Sequence, residues 1–93
     1  MSETARAELK ITGHVQGVTY RASTRRQAQE RGLYGWVENQ PDGSVEAVVE
    51  GSKDAIEGLV EWAHTGPKRA RVESVEVDWT EPTGEFSRFK VHR

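Results

Sequence analysis

The sequence has no cysteine, no long apolar run and no excess of basic residues. Without cysteine, no disulfide can support the fold and no thiolate can do chemistry, which suits a reducing compartment and predicts a cytoplasmic protein. No stretch could span a membrane or act as a signal peptide, so we expect no membrane partner. The net charge is −2 with both signs interspersed, which argues against a nucleic-acid partner.

The chain has 93 residues, the size of one small domain. No linker, internal repeat or low-complexity segment divides it, so we expect a single domain over residues 1–93 and a monomer. Residues 1–6 are polar, and we expect them to be frayed.

The most informative stretch is residues 13–21, GHVQGVTYR. An alternating strand predicted over residues 7–13 enters it, and a helix predicted over residues 21–31, closed by Gly32, leaves it. Backbone N–H groups in such a loop can converge on one anion, and the helix start adds the positive end of its dipole. Arg21 adds a planar guanidinium that matches phosphate oxygens. The pattern predicts an anion site, although a tight turn with a surface arginine remains an alternative.

The remaining chain is predicted to form further strands and one more helix. A Pro-Asp-Gly turn within residues 40–43 joins two strands. The second helix begins with Ser52 as its N-cap and ends at residues 66–67. A short last strand, marked by Phe89 and Val91, is expected at an edge of the sheet. The other predicted strands cover residues 33–39, residues 44–50 and the alternating positions 75, 77 and 79.

The predicted order β-α-β-β-α-β is typical of a ferredoxin-like α+β sandwich, the split β-α-β fold. It has one antiparallel sheet with both helices on one face, here with a possible short extra edge strand. In this fold the first two strands are parallel and flank the third, so their axes lie about 9–10 Å apart, two inter-strand spacings. The loop after the first strand then faces Asn39 at the end of the second.

These residues resemble a known family, the acylphosphatases. The resemblance rests on VQGVTYR, followed eighteen positions after Arg21 by Asn39 within GWVENQPDGSVE. It extends over almost the whole chain, through Gly66-Pro67 to Ala70, Val72 and Val75. The resemblance implies the ferredoxin-like fold and an enzyme that hydrolyses a carboxylic–phosphoric anhydride, an acyl phosphate, to carboxylate and phosphate.

The resemblance also implies roles for particular residues. Arg21 would bind the phosphate, and Asn39 would orient the attacking water. No cofactor and no metal would be needed, and inorganic phosphate or sulfate would compete with the substrate. Tyr20 stands where the family usually has phenylalanine, so its hydroxyl needs water or a partner. The backbone amides that would hold the phosphate belong to Val15, Gln16, Gly17, Val18, Thr19 and Tyr20.

Asn39 cannot act as a general base, because an amide does not titrate near neutral pH. Its carbonyl oxygen can accept a hydrogen bond from a water and its nitrogen can donate one, so it can aim the water at phosphorus. We therefore expect the phosphoryl oxygens of the substrate to take the proton.

Two other functions fit parts of the same pattern. The first is a non-catalytic module that senses an anion or acyl phosphate or binds a protein, although a sensor needs no oriented water. The second is an RNA-binding module of the same fold, which would need aromatic side chains on the open sheet face. The outward positions of strands one and three carry none: they are Glu8, Lys10, Thr12, Glu46, Val48 and Glu50.

Several residues also have simpler interpretations. Asn39 precedes a turn and could only cap the hairpin, since asparagine is favoured there. The basic run 68–71 is typical of a solvated loop. His64 and His92 are expected at the surface, and the three histidines lack the spacing of a metal site.

We expect hydrolysis of an acyl phosphate by this protein to continue in the presence of EDTA. The predicted site has no metal-ligand set, and Arg21 with the loop amides already supplies positive charge. Release of phosphate from benzoyl phosphate, measured with and without EDTA, checks this. Activity that EDTA removes and a divalent ion restores would contradict it.

Overall fold

The computed structural model describes residues 3–92. Within them, neither helix is long and apolar enough to cross a membrane. The chain forms, in order, β1 (Thr4–His14), α1 (Tyr20–Glu30), β2 (Tyr34–Asn39), β3 (Val45–Ser52), α2 (Lys53–Ala63), β4 (Arg71–Thr80) and β5 (Phe89–His92).

The five strands form one sheet in the order β4-β1-β3-β2-β5. β3 is antiparallel to both β1 and β2, so β1 and β2 are parallel with β3 between them, as predicted. The extra strand β5 lies at an edge but pairs in parallel with β2, so the sheet is mixed rather than wholly antiparallel. The reason is topological: β4 ends at the end of the sheet where β2 begins, and the connection 81–88 stays at that end.

β1 begins earlier than the sequence predicts. Residues 4–6 were expected to be frayed, but they pair with residues 50–52 of β3, so that prediction is wrong for them. Met1 and Ser2 lie outside the described residues. The Arg6 guanidinium explains the difference, because Nη1 donates to Oε2 of Glu50 at 2.8 Å across the strand pair.

The core lies between the sheet and the two helices. α2 was predicted from helical periodicity; Ser52 Oγ caps it by accepting from Ala55 N at 3.4 Å. α1 contributes a small face, because apart from Tyr20 its buried residues are Ser23, Thr24 and Ala28. The largest fully buried side chains are those of Tyr20, Ile11, Ile56, Leu59, Val15, Val37, Val45 and Val49.

A buried carboxylate fixes the connection between β4 and β5. Glu50 is only 4% exposed and accepts hydrogen bonds from Arg6, from the backbone N–H of Thr83 and from that of Gly84. Burial alone would raise the pKa of Glu50, but the hydrogen bonds from Thr83, Arg6 and Gly84 outweigh it and lower the pKa from 4.5 to about 2. The ionised form of Glu50 therefore stabilises the folded state.

We expect Glu50→Gln to destabilise the protein by about 1–3 kcal/mol at neutral pH, because buried donors lose their charged acceptor. The folded-state pKa of Glu50 is depressed, so its contribution is present above pH 4.5 and is lost as the pH falls toward 2. Urea unfolding of the wild type and of Glu50→Gln, from neutral pH down toward pH 2, measures this contribution to the free energy of unfolding. Substitution of an exposed glutamate, Glu57→Gln, is the control. If the difference in free energy of unfolding between the wild type and Glu50→Gln stays constant with pH, the lowered pKa of Glu50 is contradicted.

Candidate active site

Residues 15–19 connect β1 to α1, and together with Tyr20, the first residue of α1, they are called the glycine loop here. Three of its side chains, Val15, Val18 and Tyr20, are buried in the core, whereas Gly17 and Thr19 are exposed. These side chains therefore anchor the loop in the hydrophobic core, and its exposed positions face solvent at the end of the sheet.

The loop backbone takes left-handed conformations at two positions. Gly17 has φ +75° and Thr19 has φ +63°. Within residues 3–92, Thr19 is the one non-glycine residue with positive φ, a conformation that other residues adopt at a cost. Thr19 is also the N-cap of α1, yet its side chain does not cap the helix; Oγ1 donates instead to Val18 O at 2.6 Å. The first turn of α1 therefore keeps its N–H groups free.

The backbone N–H groups of residues 15–20 have no protein acceptor among the described residues. Six consecutive free donors at a helix N-terminus are what an anion-binding loop requires, because each can donate to an oxygen of the bound group. The helix dipole adds positive potential at the same point.

Arg21 follows the loop in the first turn of α1. Its Nη1 donates to the backbone carbonyl of His92 in β5 at 2.6 Å. The guanidinium has five N–H donors, and this bond fixes its orientation while leaving the other four available. The edge strand β5 therefore positions the arginine.

Asn39 is the last residue of β2, a strand that packs against α1. Its Oδ1 is buried and has no hydrogen-bond partner, the one such side-chain atom in residues 3–92. A buried acceptor without a donor is costly, so a water or ligand that donates to it is favoured there.

The loop, Arg21 and Asn39 meet in one depression of about 190 Å³, called the loop depression here. Among residues 3–92, Arg21 is the one charged residue that lines it, so the described part of the lining is positive. Its lining residues are Val15, Gly17, Thr19, Tyr20, Arg21, Ala22, Asn39 and Val91.

A larger depression, about 420 Å³, lies elsewhere, on the sheet face away from the helices. Three acids line it, Glu8, Glu46 and Asp78, against two bases, Arg6 and Lys10, so the charge of its lining does not favour an anion. The predicted absence of aromatic side chains holds for β1 and β3, but Trp36 of β2 also lines this depression. Trp36 is stacked on the His92 ring at 5.1 Å.

The side chain of Gln16 ties the glycine loop to the turn after Asn39. Its Nε2 donates to the carbonyls of Gln40 and Ser44 at 2.8 and 2.9 Å. The turn is itself fixed, because Asp42 Oδ1 accepts from the Ser44 hydroxyl at 2.6 Å and its backbone N–H at 2.9 Å. These two hydrogen bonds, the hydroxyl first, lower the pKa of Asp42 to about 2.

Sequence reasoning missed two of these contacts. Gln16 was predicted to contribute only its backbone amide, and His92 was expected simply at the surface. In the structure the side-chain amide of Gln16 joins the glycine loop to the turn after Asn39. The His92 carbonyl accepts a hydrogen bond from Arg21. The hydroxyl of Tyr20, predicted to need a partner, donates to Ala63 O at 2.7 Å. Burial raises the pKa of Tyr20, so this hydroxyl stays protonated.

No group of three histidine, aspartate or glutamate side chains is placed to hold a metal ion in the part of the chain that the structure describes. His64 is exposed, and its Nδ1 lies 3.0 Å from Val60 O. His92 is half-buried, with Nδ1 3.3 Å from Glu38 Oε1.

The chain resembles known proteins over nearly its whole length. The family model named Acylphosphatase matches residues 7–91. An acylphosphatase from Roseiflexus sp. is 50% identical over 91 residues, 98% of each chain. One from Thermococcus kodakarensis is 55% identical over 86 residues, 92% of this chain and 93% of the relative. The structure of an acylphosphatase from Coxiella burnetii matches with a TM-score of 0.91 at 37% identity, covering 96% of this chain and 93% of that one.

We expect Gly17→Val to weaken binding of inorganic phosphate while the fold persists. A Cβ atom at Gly17 would meet no other atom within 4 Å, so the cost is backbone strain of about 1–3 kcal/mol. If the loop relaxes away from its native conformation, phosphate affinity falls by roughly ten- to a hundredfold. Calorimetric titration with phosphate measures the effect.

Gly32→Val is the matched control for this experiment. Gly32 has φ +70° and equally open surroundings, but it follows the far end of α1. It should carry similar strain and keep its phosphate affinity. Equal losses of phosphate affinity in the two variants would show that the conformation of the glycine loop does not determine phosphate binding.

Proposed function

The chain belongs to the acylphosphatase family, and we propose that the glycine loop, Arg21 and Asn39 carry out the reaction of that family in it. The protein is an enzyme that hydrolyses acyl phosphates to a carboxylate and inorganic phosphate. Its substrate is accordingly a small molecule with a carboxyl–phosphate bond.

In this proposal the phosphoryl group lies in the loop depression. Its oxygens accept from the free N–H groups of residues 15–20 and from the donors of Arg21 that the His92 carbonyl leaves available. Such charge-assisted hydrogen bonds are about twice as strong as neutral ones. Because the donors are held in place before binding, little reorganisation is needed as charge develops.

The observation that carries the catalytic part of the proposal is that Asn39 lines the loop depression together with Arg21, while its Oδ1 has no hydrogen-bond donor within residues 3–92. A water that donates to this oxygen would lie beside the phosphoryl group, on a different segment from the groups that bind it. A module that only senses an anion has no use for such a water, so the unsatisfied oxygen favours turnover over the non-catalytic alternative.

The chemistry then needs only positioning and charge stabilisation. The water oxygen forms a bond to phosphorus as the bond from phosphorus to the acyl oxygen breaks, and the electron pair leaves on a stabilised carboxylate. Phosphoryl transfer of this kind has a loose transition state with charge spread over the equatorial oxygens, which face the amides and Arg21. One proton of the water goes to a phosphoryl oxygen, so the products are a carboxylate and dihydrogen phosphate.

Further parts of the proposal concern partners and location. Phosphate and sulfate would compete for the same donors, and the reaction would need no cofactor. We propose a functional monomer formed by one domain over residues 1–93, because the glycine loop, Arg21 and Asn39 come together within a single chain. The cysteine-free composition supports a cytoplasmic location, and the acids on the open sheet face argue against nucleic acid as a partner.

We expect Arg21→Ala to weaken phosphate binding and stabilisation of the transition state together. Each free energy should become less favourable by about 2–5 kcal/mol, as for loss of one partner of a buried charge pair. Arg21→Lys should also be poor, because an ammonium group cannot reproduce the planar fork. Exposed Arg26→Ala on the same helix is the control. Inhibition of benzoyl phosphate hydrolysis by phosphate measures affinity, and near wild-type inhibition in Arg21→Ala would refute the role.

We expect Asn39→Ala to lower turnover by about two orders of magnitude or more, since an orienting contact is lost. Inhibition by phosphate should remain nearly unchanged, because Arg21 and the amides are still present. Loss of rate with affinity kept is typical of a transition-state interaction. Asn39→Asp should not restore the rate, because its carboxylate places a negative charge near the incoming phosphate.

The measurements are kcat and the phosphate inhibition constant in both Asn39 variants, with urea unfolding to check stability. Normal turnover in Asn39→Ala would make Asn39 only a hairpin residue. Equal loss of rate and phosphate affinity would place Asn39 among the binding groups instead.

A further inference from the structure

A second depression adjoins the loop depression. Its volume is about 290 Å³, and it is called the basic depression here. Gly17 and Thr19 line both depressions, whereas Asn39 lines only the first. The other lining residues of the basic depression are Val18, Pro67, Lys68 and Arg69.

Packing against Tyr20 fixes the segment that carries Lys68 and Arg69. Gly66 is so close to the Tyr20 ring that a Cβ atom there would lie 2.7 Å from Cε2. The Tyr20 hydroxyl holds Ala63 O, and Ala70 N donates to Pro67 O at 3.0 Å. The residue that ends the glycine loop therefore also positions the basic segment beside it.

The charges of the basic depression are uncompensated. Lys68 and Arg69 are exposed, and neither makes a hydrogen bond or ion pair with another residue of the described range 3–92. Among residues 3–92, no acidic residue lines either depression, although the whole chain has a net charge of −2. The two adjoining depressions together present three cations, Arg21, Lys68 and Arg69.

We propose that the basic depression binds the acyl half of the substrate and favours acyl phosphates whose acyl group carries a second anionic group. This inference rests on the proposed function of the loop depression. A phosphoryl group held by the glycine loop can extend its acyl group past Gly17 and Thr19 toward Lys68 and Arg69. The second anion, a carboxylate or a phosphate, would pair with these two side chains.

The position of Asn39 supports this direction. In phosphoryl transfer the attacking and leaving oxygens lie roughly in line on opposite sides of phosphorus. Asn39, which would hold the water, does not line the basic depression. An acyl group in the basic depression would therefore not occupy the place of the water beside Asn39.

The test compares two substrates of nearly equal shape, 4-carboxybenzoyl phosphate and 4-methylbenzoyl phosphate. Neither can cyclise, and only the first has a second anion. Their kcat/KM ratio is measured for the wild type, for Lys68→Gln/Arg69→Gln and for Lys53→Gln/Arg88→Gln. The last pair removes the same charge at the opposite end of the sheet, where α2 and β5 begin.

We expect the wild type to prefer the carboxylated substrate. Lys68→Gln/Arg69→Gln should reduce the preference by roughly three- to tenfold, the range for two solvent-exposed ion pairs, and the control pair should retain it. The preference should also weaken in high salt, because exposed charges are screened. Circular dichroism establishes that the variants fold.

Two different results would overturn the inference. If the wild type hydrolyses both substrates equally, or if both double variants change the ratio alike, the basic depression does not select the acyl group, while the proposed function stands. If the wild type hydrolyses neither substrate, the proposed function fails and this inference fails with it.

Discussion

The site depends on one constraint, six consecutive backbone N–H groups that no acceptor within residues 3–92 satisfies. Such a loop is kept open only if its surroundings are rigid. Val15, Val18 and Tyr20 hold it from the core, and the Gln16 side chain holds it to the turn after Asn39. In the proposed mechanism these donors are pre-organised for an anion, and the folded structure bears the cost of leaving them unpaired.

The sheet order brings the remaining groups to this loop. Because β1 and β2 run in parallel on either side of β3, Asn39 lies at the same end of the sheet as the glycine loop. The parallel edge strand β5 reaches that end too, and the His92 carbonyl orients Arg21. At the opposite end, the Arg6–Glu50 pair fixes the connection that leads into β5. A charge pair far from the site thus supports the strand that positions the arginine.

The sequence was sufficient to predict those features that depend on periodicity and local turn chemistry. Alternation and helical spacing predicted the element order, and the ferredoxin-like topology then implied that the glycine loop faces Asn39. The pairing of Arg6 with Glu50, 44 positions away, has no local pattern and was missed. The same holds for the parallel direction of β5 and for Lys68 beside Gly17, which depend on how distant segments pack.

The central claim is that water attacks the phosphorus, and not the carbonyl carbon, of an acyl phosphate bound in the loop depression. Hydrolysis of benzoyl phosphate in ¹⁸O-labelled water, with mass analysis of both products after a single turnover, tests it most directly. Attack at phosphorus places the label in inorganic phosphate and leaves the benzoate unlabelled. Label in the benzoate would mean that water attacks the carbonyl carbon, which would contradict the account.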